Sequence, residues 1–149
     1  MTSEADLEPC HTTLRLRVRF CETDAMGIVH HSRYLQYVEA ARIEYLMRRG
    51  LNYRELNAKG FHMPVIEATS RFKKPARFND DLNITVRIAK LTRVTTRFDY
   101  EVCRADVEGI TTLVEGHTLL ACVNAEHRPC RIPDELLEHM LGPETASPS

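Results

Sequence analysis

An excess of charge of either sign is missing from this 149-residue chain, in which 20 Lys and Arg stand against 21 Asp and Glu for a formal net charge of -1. The summed field therefore offers no long-range attraction for nucleic acid or an anionic membrane, and any anionic ligand must be held by a local cluster. No hydrophobic run approaches the length that spans a bilayer, so no integral membrane association is expected. The five cysteines, Cys10, Cys21, Cys103, Cys122 and Cys130, form no C-x-x-C pair, and an odd number cannot close into a complete disulfide framework. Met1 to Pro9 carry Glu4, Asp6 and Glu8 without a basic region or an apolar stretch, which fits neither a secretory signal nor a transit peptide. A cytoplasmic protein is the expectation. Gly and Pro do not dominate, and there is no internal repeat, so one ordinary globular domain is expected over 13–141. Residues 1–12 are expected as a flexible tail and 142–149 as a disordered one.

What is present reads as strand, helix, then more strands. Leu14, Leu16, Val18 and Phe20 alternate with Arg15, Arg17 and Arg19, the period of a strand with one buried face. A helical stretch from Ser32 to Arg49 follows, with the stripe Tyr34, Val38, Ala41 and Tyr45 and the additional apolar residues Leu35, Ile43 and Leu46, and Gly50 as its stop. Asn52 caps a short helix through Ala58 that Gly60 ends. Strands are then expected over Met63 to Lys73, Leu82 to Ile88, Val94 to Val102 and Ile110 to Val123, with Pro75 marking an edge or bulge and a short helix following Pro133. This order predicts an α+β domain in which one antiparallel sheet wraps a central helix, not alternating βαβ units.

The chemistry is concentrated in residues 17–34, which lead from the first strand into the long helix. Asp24 lies in the connection, and the helix start offers unpaired backbone N–H groups and the positive end of its dipole toward that loop. A lone Asp before a helix is most often a turn former or cap. Thioester cleavage, however, needs attack on a carbonyl carbon and stabilisation of the charge that develops on its oxygen, and a carboxylate facing a helix N-terminus supplies one of each.

Asp24, Gly27, His31 and Tyr34, followed by Glu39 and Arg42 on the helix and by Pro75-Ala76 before Asp80-Asp81, make the chain resemble the 4-hydroxybenzoyl-CoA thioesterase family, particularly its Tol-Pal-associated acyl-CoA thioesterase branch. The resemblance covers nearly the whole chain. It implies a hot-dog fold, a five-stranded antiparallel sheet around a long helix, and a homodimer with sites at its interface that pairs into a homotetramer. It further implies hydrolysis of an acyl-CoA or aroyl-CoA, with no cofactor beyond the substrate's own CoA. Asp24 would be nucleophile or general base, two roles that need the same residue in nearly the same place. His31 would give its backbone N–H to the thioester oxygen and, with its side chain, help position Asp24 or water; Gly27, Tyr34 and Met63 would line the substrate site. For the CoA phosphates, Arg93 with Lys90 beside it are the first expectation and Lys73, Lys74 and Arg128 further ones. Three positions depart from that branch's pattern: Phe20 where Tyr is frequent, His30 where an aromatic is usual, and Met26 in place of a small residue.

Other readings of the same residues are weaker. His30 and His31 point in different directions as neighbours, and no third ligand is set at a metal-site spacing, so no metal is expected. Cys21 has no identifiable His–Asp orienter and reads as a buried, inert thiol. Glu39 and Glu44 read as structural helix charges. Among functions, the rivals are a thioesterase for acyl carrier protein, a hot-dog hydratase or dehydratase, which places a His with an Asp or Glu in a different motif, and a non-catalytic acyl-CoA binder.

Overall fold

In the computed structural model, which describes residues 3–145, the chain forms helix α1 (Glu4–Leu7), strand β1 (His11–Arg17), the long helix α2 (Arg33–Met47), helix α3 (Tyr53–Ala58), strands β2 (Val65–Phe72), β3 (Asp81–Leu91), β4 (Thr95–Asp106) and β5 (Gly109–Ala121), and helix α4 (Asp134–Leu141). The strands make one sheet in the order β1-β3-β4-β5-β2, antiparallel at every junction. The α+β hot-dog arrangement is therefore the one observed: the sheet curls about α2.

Why it curls that way follows from where the apolar residues stand. The stripe Tyr34, Val38, Ala41 and Tyr45 is buried along α2, and it meets the alternating Leu82, Ile84, Val86 and Ile88 of β3 and Phe98, Tyr100 and Val102 of β4. Tyr45 packs edge-on to Phe98 with ring centroids 5.3 Å apart, and its hydroxyl donates to Met140 O at 2.6 Å, tying α4 to the core. Gly50 adopts φ +80° and ends the helix as expected, and Asn52 caps α3 by accepting from the Arg54 N–H.

Arg49 is buried with a hydrogen-bond partner for each of its three guanidinium nitrogens. It donates to Thr12 Oγ1, Tyr45 O, His11 O and Gly142 O, and its guanidinium lies 3.6 Å over the Tyr45 ring. These bonds join β1, α2 and the end of α4.

Several boundaries differ from the sequence reading. The first strand ends at Arg17, and the chain bends into a single 3-10 turn, Phe20–Glu22, which throws Phe20 outward to 75% exposure although the alternation placed it on the buried face, and leaves Cys21 exposed where a buried thiol was expected. Within the expected flexible tail 1–12, the described residues form α1 and the first residues of β1, and Cys10 is buried. The expected disordered tail 142–149 lies partly outside the described residues; of those described, Thr145 donates its N–H to Arg48 O at 2.6 Å, and Glu144 accepts from Thr12 Oγ1 at 2.7 Å. The apolar residues on both faces of β5 reflect, in part, a bulge opposite Val102 and Cys103 that buries the neighbours Leu113 and Val114 together.

β2 is an edge strand with almost no cover. Of its residues only Ser70 is as much as half-buried, and Val65, Ile66 and Phe72 are 43%, 57% and 52% exposed. Its pairing with β5 depends on Gly116: a Cβ there would sit 2.0 Å from Thr69 O, and Tyr100 reaches past the missing side chain to donate its hydroxyl to Thr69 O at 2.7 Å.

Candidate active site

The connection between β1 and α2 folds back on itself as a small hairpin. Thr23 bridges Val29 and Ile28 bridges Arg77, while the Asp24 N–H donates to Ile28 O at 2.9 Å and the Gly27 N–H to Asp24 O at 2.9 Å. Gly27 takes φ +77°, a left-handed conformation that closes the turn without strain only because the residue has no Cβ. Gly27 thus shapes the turn, and its neighbours Met26 and Ile28 supply the lining.

Asp24 is half-buried on one wall of a cleft of about 300 Å³ that it shares with Met26, His31, Tyr34, Phe72 and Lys74. Its Oδ1 accepts from the Met26 N–H at 2.8 Å, and its Oδ2 has no partner among the described residues. A carboxylate held by one oxygen and open at the other is oriented without being used up.

At the far side of the turn the chain enters α2 through His30, His31 and Ser32. The Arg33 N–H donates to His30 O at 2.9 Å, and His30 Nδ1 lies 2.8 Å from Ser32 Oγ and 3.3 Å from the Ser32 N–H, so an imidazole does the work of a helix cap. Ser32 itself makes no side-chain cap bond. The His31 N–H has no partner among the described residues and lies at the positive end of the helix. The His30 and His31 rings do not point apart as expected of neighbours: the turn before α2 brings their centroids to 4.1 Å at a tilt of 34°, and the His31 ring stands edge-on to Phe72 at 6.4 Å without a hydrogen bond to Asp24.

Tyr34 lies at the base of the cleft. It is buried, and its hydroxyl accepts from the Ala76 N–H at 3.4 Å. Burial pushes its phenol above the ordinary tyrosine range, so it is neutral at any working pH. Phe72, from the end of β2, packs against it with centroids 5.7 Å apart. In the sequence Phe72 is one residue of an expected strand, with no chemical signature that marks it as part of a site.

The basic residues divide by location. Lys73 and Lys74 line the cleft; Lys73 pairs with Glu115 at 2.9 Å, and Lys74 has no carboxylate within 4.0 Å among the described residues. Met63, Lys90 and Arg93 do not join them. Asp24 lies at the Phe72 end of β2, whereas Lys90 pairs with Arg97 next to the Thr96–Leu120 pair that leads to Val65 at the other end. Seven residues of β2 at roughly 3.3 Å each separate the two ends by about 23 Å. Met63 is buried just before Val65, and Arg93 sits in the turn between β3 and β4, where its carbonyl accepts from the Ile132 N–H at 2.7 Å. Within one protomer these three residues line no wall of the Asp24 cleft.

Residues 18–140 match the model of the family described as "Thioesterase-like superfamily". The chain belongs to this superfamily. Among solved structures of similar proteins, the hypothetical protein TT1821 of Thermus thermophilus is 39% identical, with a TM-score of 0.80 over 87% of this chain and 96% of that one. A hypothetical protein of Aquifex aeolicus (AQ1494) is 33% identical, with a TM-score of 0.79 over 87% of this chain and 98% of its own. The acyl-CoA thioester hydrolase YbgC of Escherichia coli is 28% identical over 123 residues, which are 82% of this chain and 90% of the relative. Among the described residues no helix is long and apolar enough to cross a membrane.

Proposed function

We propose that this thioesterase hydrolyses an acyl-CoA or aroyl-CoA to the free acid and CoA, with Asp24 as its catalytic carboxylate. The observation that carries this reading is that Asp24 and His31 line one cleft, while the Asp24 Oδ2 and the His31 N–H at the start of α2 each lack a partner among the described residues. The thioester oxygen would accept from the His31 N–H, where the helix dipole opposes the negative charge that develops as the carbonyl becomes tetrahedral. As a general base, Asp24 takes a proton from water, the resulting oxygen attacks the carbonyl carbon, the C–S bond breaks, and the proton passes to the departing thiolate. As a nucleophile, Asp24 displaces the thiolate to give a mixed anhydride that water then opens. Both routes consume one water and need the same oxygen in the same place.

CoA as the carrier is supported by the name of the Escherichia coli relative and by Lys73 and Lys74 at the cleft, where cations can meet phosphate. The test is Asp24→Asn. The amide keeps an oxygen to accept from the Met26 N–H, so folding should be preserved, while thiol release from acyl-CoA falls by roughly 10²-fold or more. Wild-type turnover in this variant removes Asp24 from the mechanism.

The working unit in this reading is a homodimer. β2 offers an unpaired edge with Val65, Ile66 and Phe72 exposed, and α2 exposes Leu35 and Met47 at 43% and 44%. Edges of this kind are ordinarily covered. Pairing β2 with its copy would give the edge a hydrogen-bonded neighbour and place Phe72, a wall of the cleft, next to the junction.

A further inference from the structure

Two residues before Asp24 stands a buried carboxylate that no step of the proposed reaction uses. Glu22 closes the turn Phe20–Glu22 and is only 7% exposed. A carboxylate taken out of water is costly unless its oxygens are hydrogen-bonded. Glu22 Oε1 accepts the Arg19 N–H at 2.8 Å and the Tyr37 hydroxyl at 3.0 Å, while among the described residues Oε2 receives only a 3.4 Å contact from the Arg19 guanidinium. The main chain adds two more ties: the Glu22 N–H donates to Arg19 O at 3.0 Å, and Glu22 O accepts from the His30 N–H at 3.0 Å.

One residue is therefore bonded to the beginning of the Asp24 loop at Arg19, to its end at His30, and to α2 at Tyr37. His30 is the neighbour of His31. Tyr37 stands edge-on to Tyr34, with ring centroids 5.8 Å apart, and Tyr34 forms the base of the cleft. Burial first, and then the bond to Glu22, push the Tyr37 phenol far above its ordinary range, so it remains a donor at every working pH.

We infer that Glu22 is a positioning residue: pinned between the Arg19 N–H and the Tyr37 hydroxyl, its side chain fixes the loop that carries Asp24 against the helix start that carries the His31 N–H. The inference rests on the role given to Asp24 above. Its energetic logic is that reacting groups displaced by about 1 Å lose on the order of 10²-fold in rate, while the binding of distant parts of the substrate is left intact. Because both short bonds end on Oε1, the geometry requires an oxygen at that point and not a negative charge. A glutamine can supply that oxygen.

The test compares Glu22→Gln, Glu22→Ala and Tyr37→Phe in the full chain, with acyl-CoA turnover and backbone amide hydrogen exchange over residues 22–31 as separate readouts. Glu22→Ala should lower kcat by roughly 30- to 100-fold with KM within about 3-fold, and should speed exchange across the loop. Tyr37→Phe removes one of the two short bonds and should cost about 10-fold in kcat. Glu22→Gln should keep both kcat and exchange near wild type. A Glu22→Ala enzyme with wild-type kcat overturns the inference, as does a Glu22→Gln enzyme as impaired as Glu22→Ala, because the charge and not the position would then matter. If Asp24→Asn is inactive and Glu22→Ala is not, only the positioning role falls. If Asp24→Asn is fully active, the role of Asp24 falls first, and exchange alone still reports whether Glu22 anchors the loop.

Discussion

Gly116→Ala should destabilise the junction between β2 and β5 by overpacking it. The new Cβ would lie 2.0 Å from Thr69 O, 2.8 Å from Thr69 C and 2.8 Å from Tyr100 Oη. Two of these atoms are backbone, so no change of rotamer relieves the overlap. To reach an ordinary contact, β2 must move away from β5 by about 1 Å at this point, a strain of the overpacking kind that costs roughly 1–3 kcal/mol. The same movement breaks the hydrogen bond from the Tyr100 hydroxyl to Thr69 O, at about 0.5–1.5 kcal/mol more. The expected total is about 2–4 kcal/mol, or a fall of roughly 5–12 °C in Tm for a chain of this length. Urea unfolding at fixed protein concentration measures it, since any self-association makes the midpoint depend on concentration. The variant should also lose turnover, because a shift of β2 carries Phe72 away from Tyr34 and His31. A loss of stability below about 0.5 kcal/mol would show that the strands yield at no cost and would refute the close-approach argument.

Two further outcomes are expected. Burial, and then the bond that the Cys122 thiol gives to Cys130, push the Cys122 thiol up to about 12, so its contribution to stability is complete below its ordinary value of 9.0 and is lost as the pH rises toward about 12. The stability of wild type measured by denaturant titration should therefore fall between pH 9 and 12 and fall less steeply in Cys122→Ala; equal slopes refute the assignment. For the quaternary structure, wild type should sediment as a dimer or as a pair of dimers and the double variant Leu35→Glu with Ile66→Lys as a monomer, since Leu35 of α2 and Ile66 of the bare strand β2 are exposed apolar residues. A monomeric wild type would remove the shared interface from the reading.

The candidate site was legible in residues 17–34 because its chemistry is local. Asp24, the turn at Gly27 and the helix start at His31 are close in sequence, so their combination, which a lone Asp before a helix would not announce, can be read without knowing what packs around them. Phe20 was misplaced for the opposite reason: alternation extends a strand only while the ladder continues, and here the ladder stops at Arg17. The helix stripe, by contrast, was read correctly residue by residue, since the period of 3.6 and the absence of Pro or Gly between Ser32 and Arg49 leave one element type.

Glu22 illustrates what local reading misses. In the sequence it is one charged residue among 21 acidic ones, and nothing near it announces burial. Its partner Tyr37 lies on α2, a contact that exists only once the loop has folded over the helix. The placement of Lys90 and Arg93 teaches the same lesson, since their distance from Asp24 is set by strand length and direction.

By itself, the sequence determined the element order, the buried stripe of α2 and the residues of the Asp24 loop, because periodicity, capping and turn chemistry act over a few neighbouring residues. The tertiary structure alone decided which strand became the bare edge, which basic residues reached the cleft and which carboxylate was sealed beneath it. Those outcomes depend on strand order and register, which bring together residues far apart in the chain and leave no mark on the local pattern.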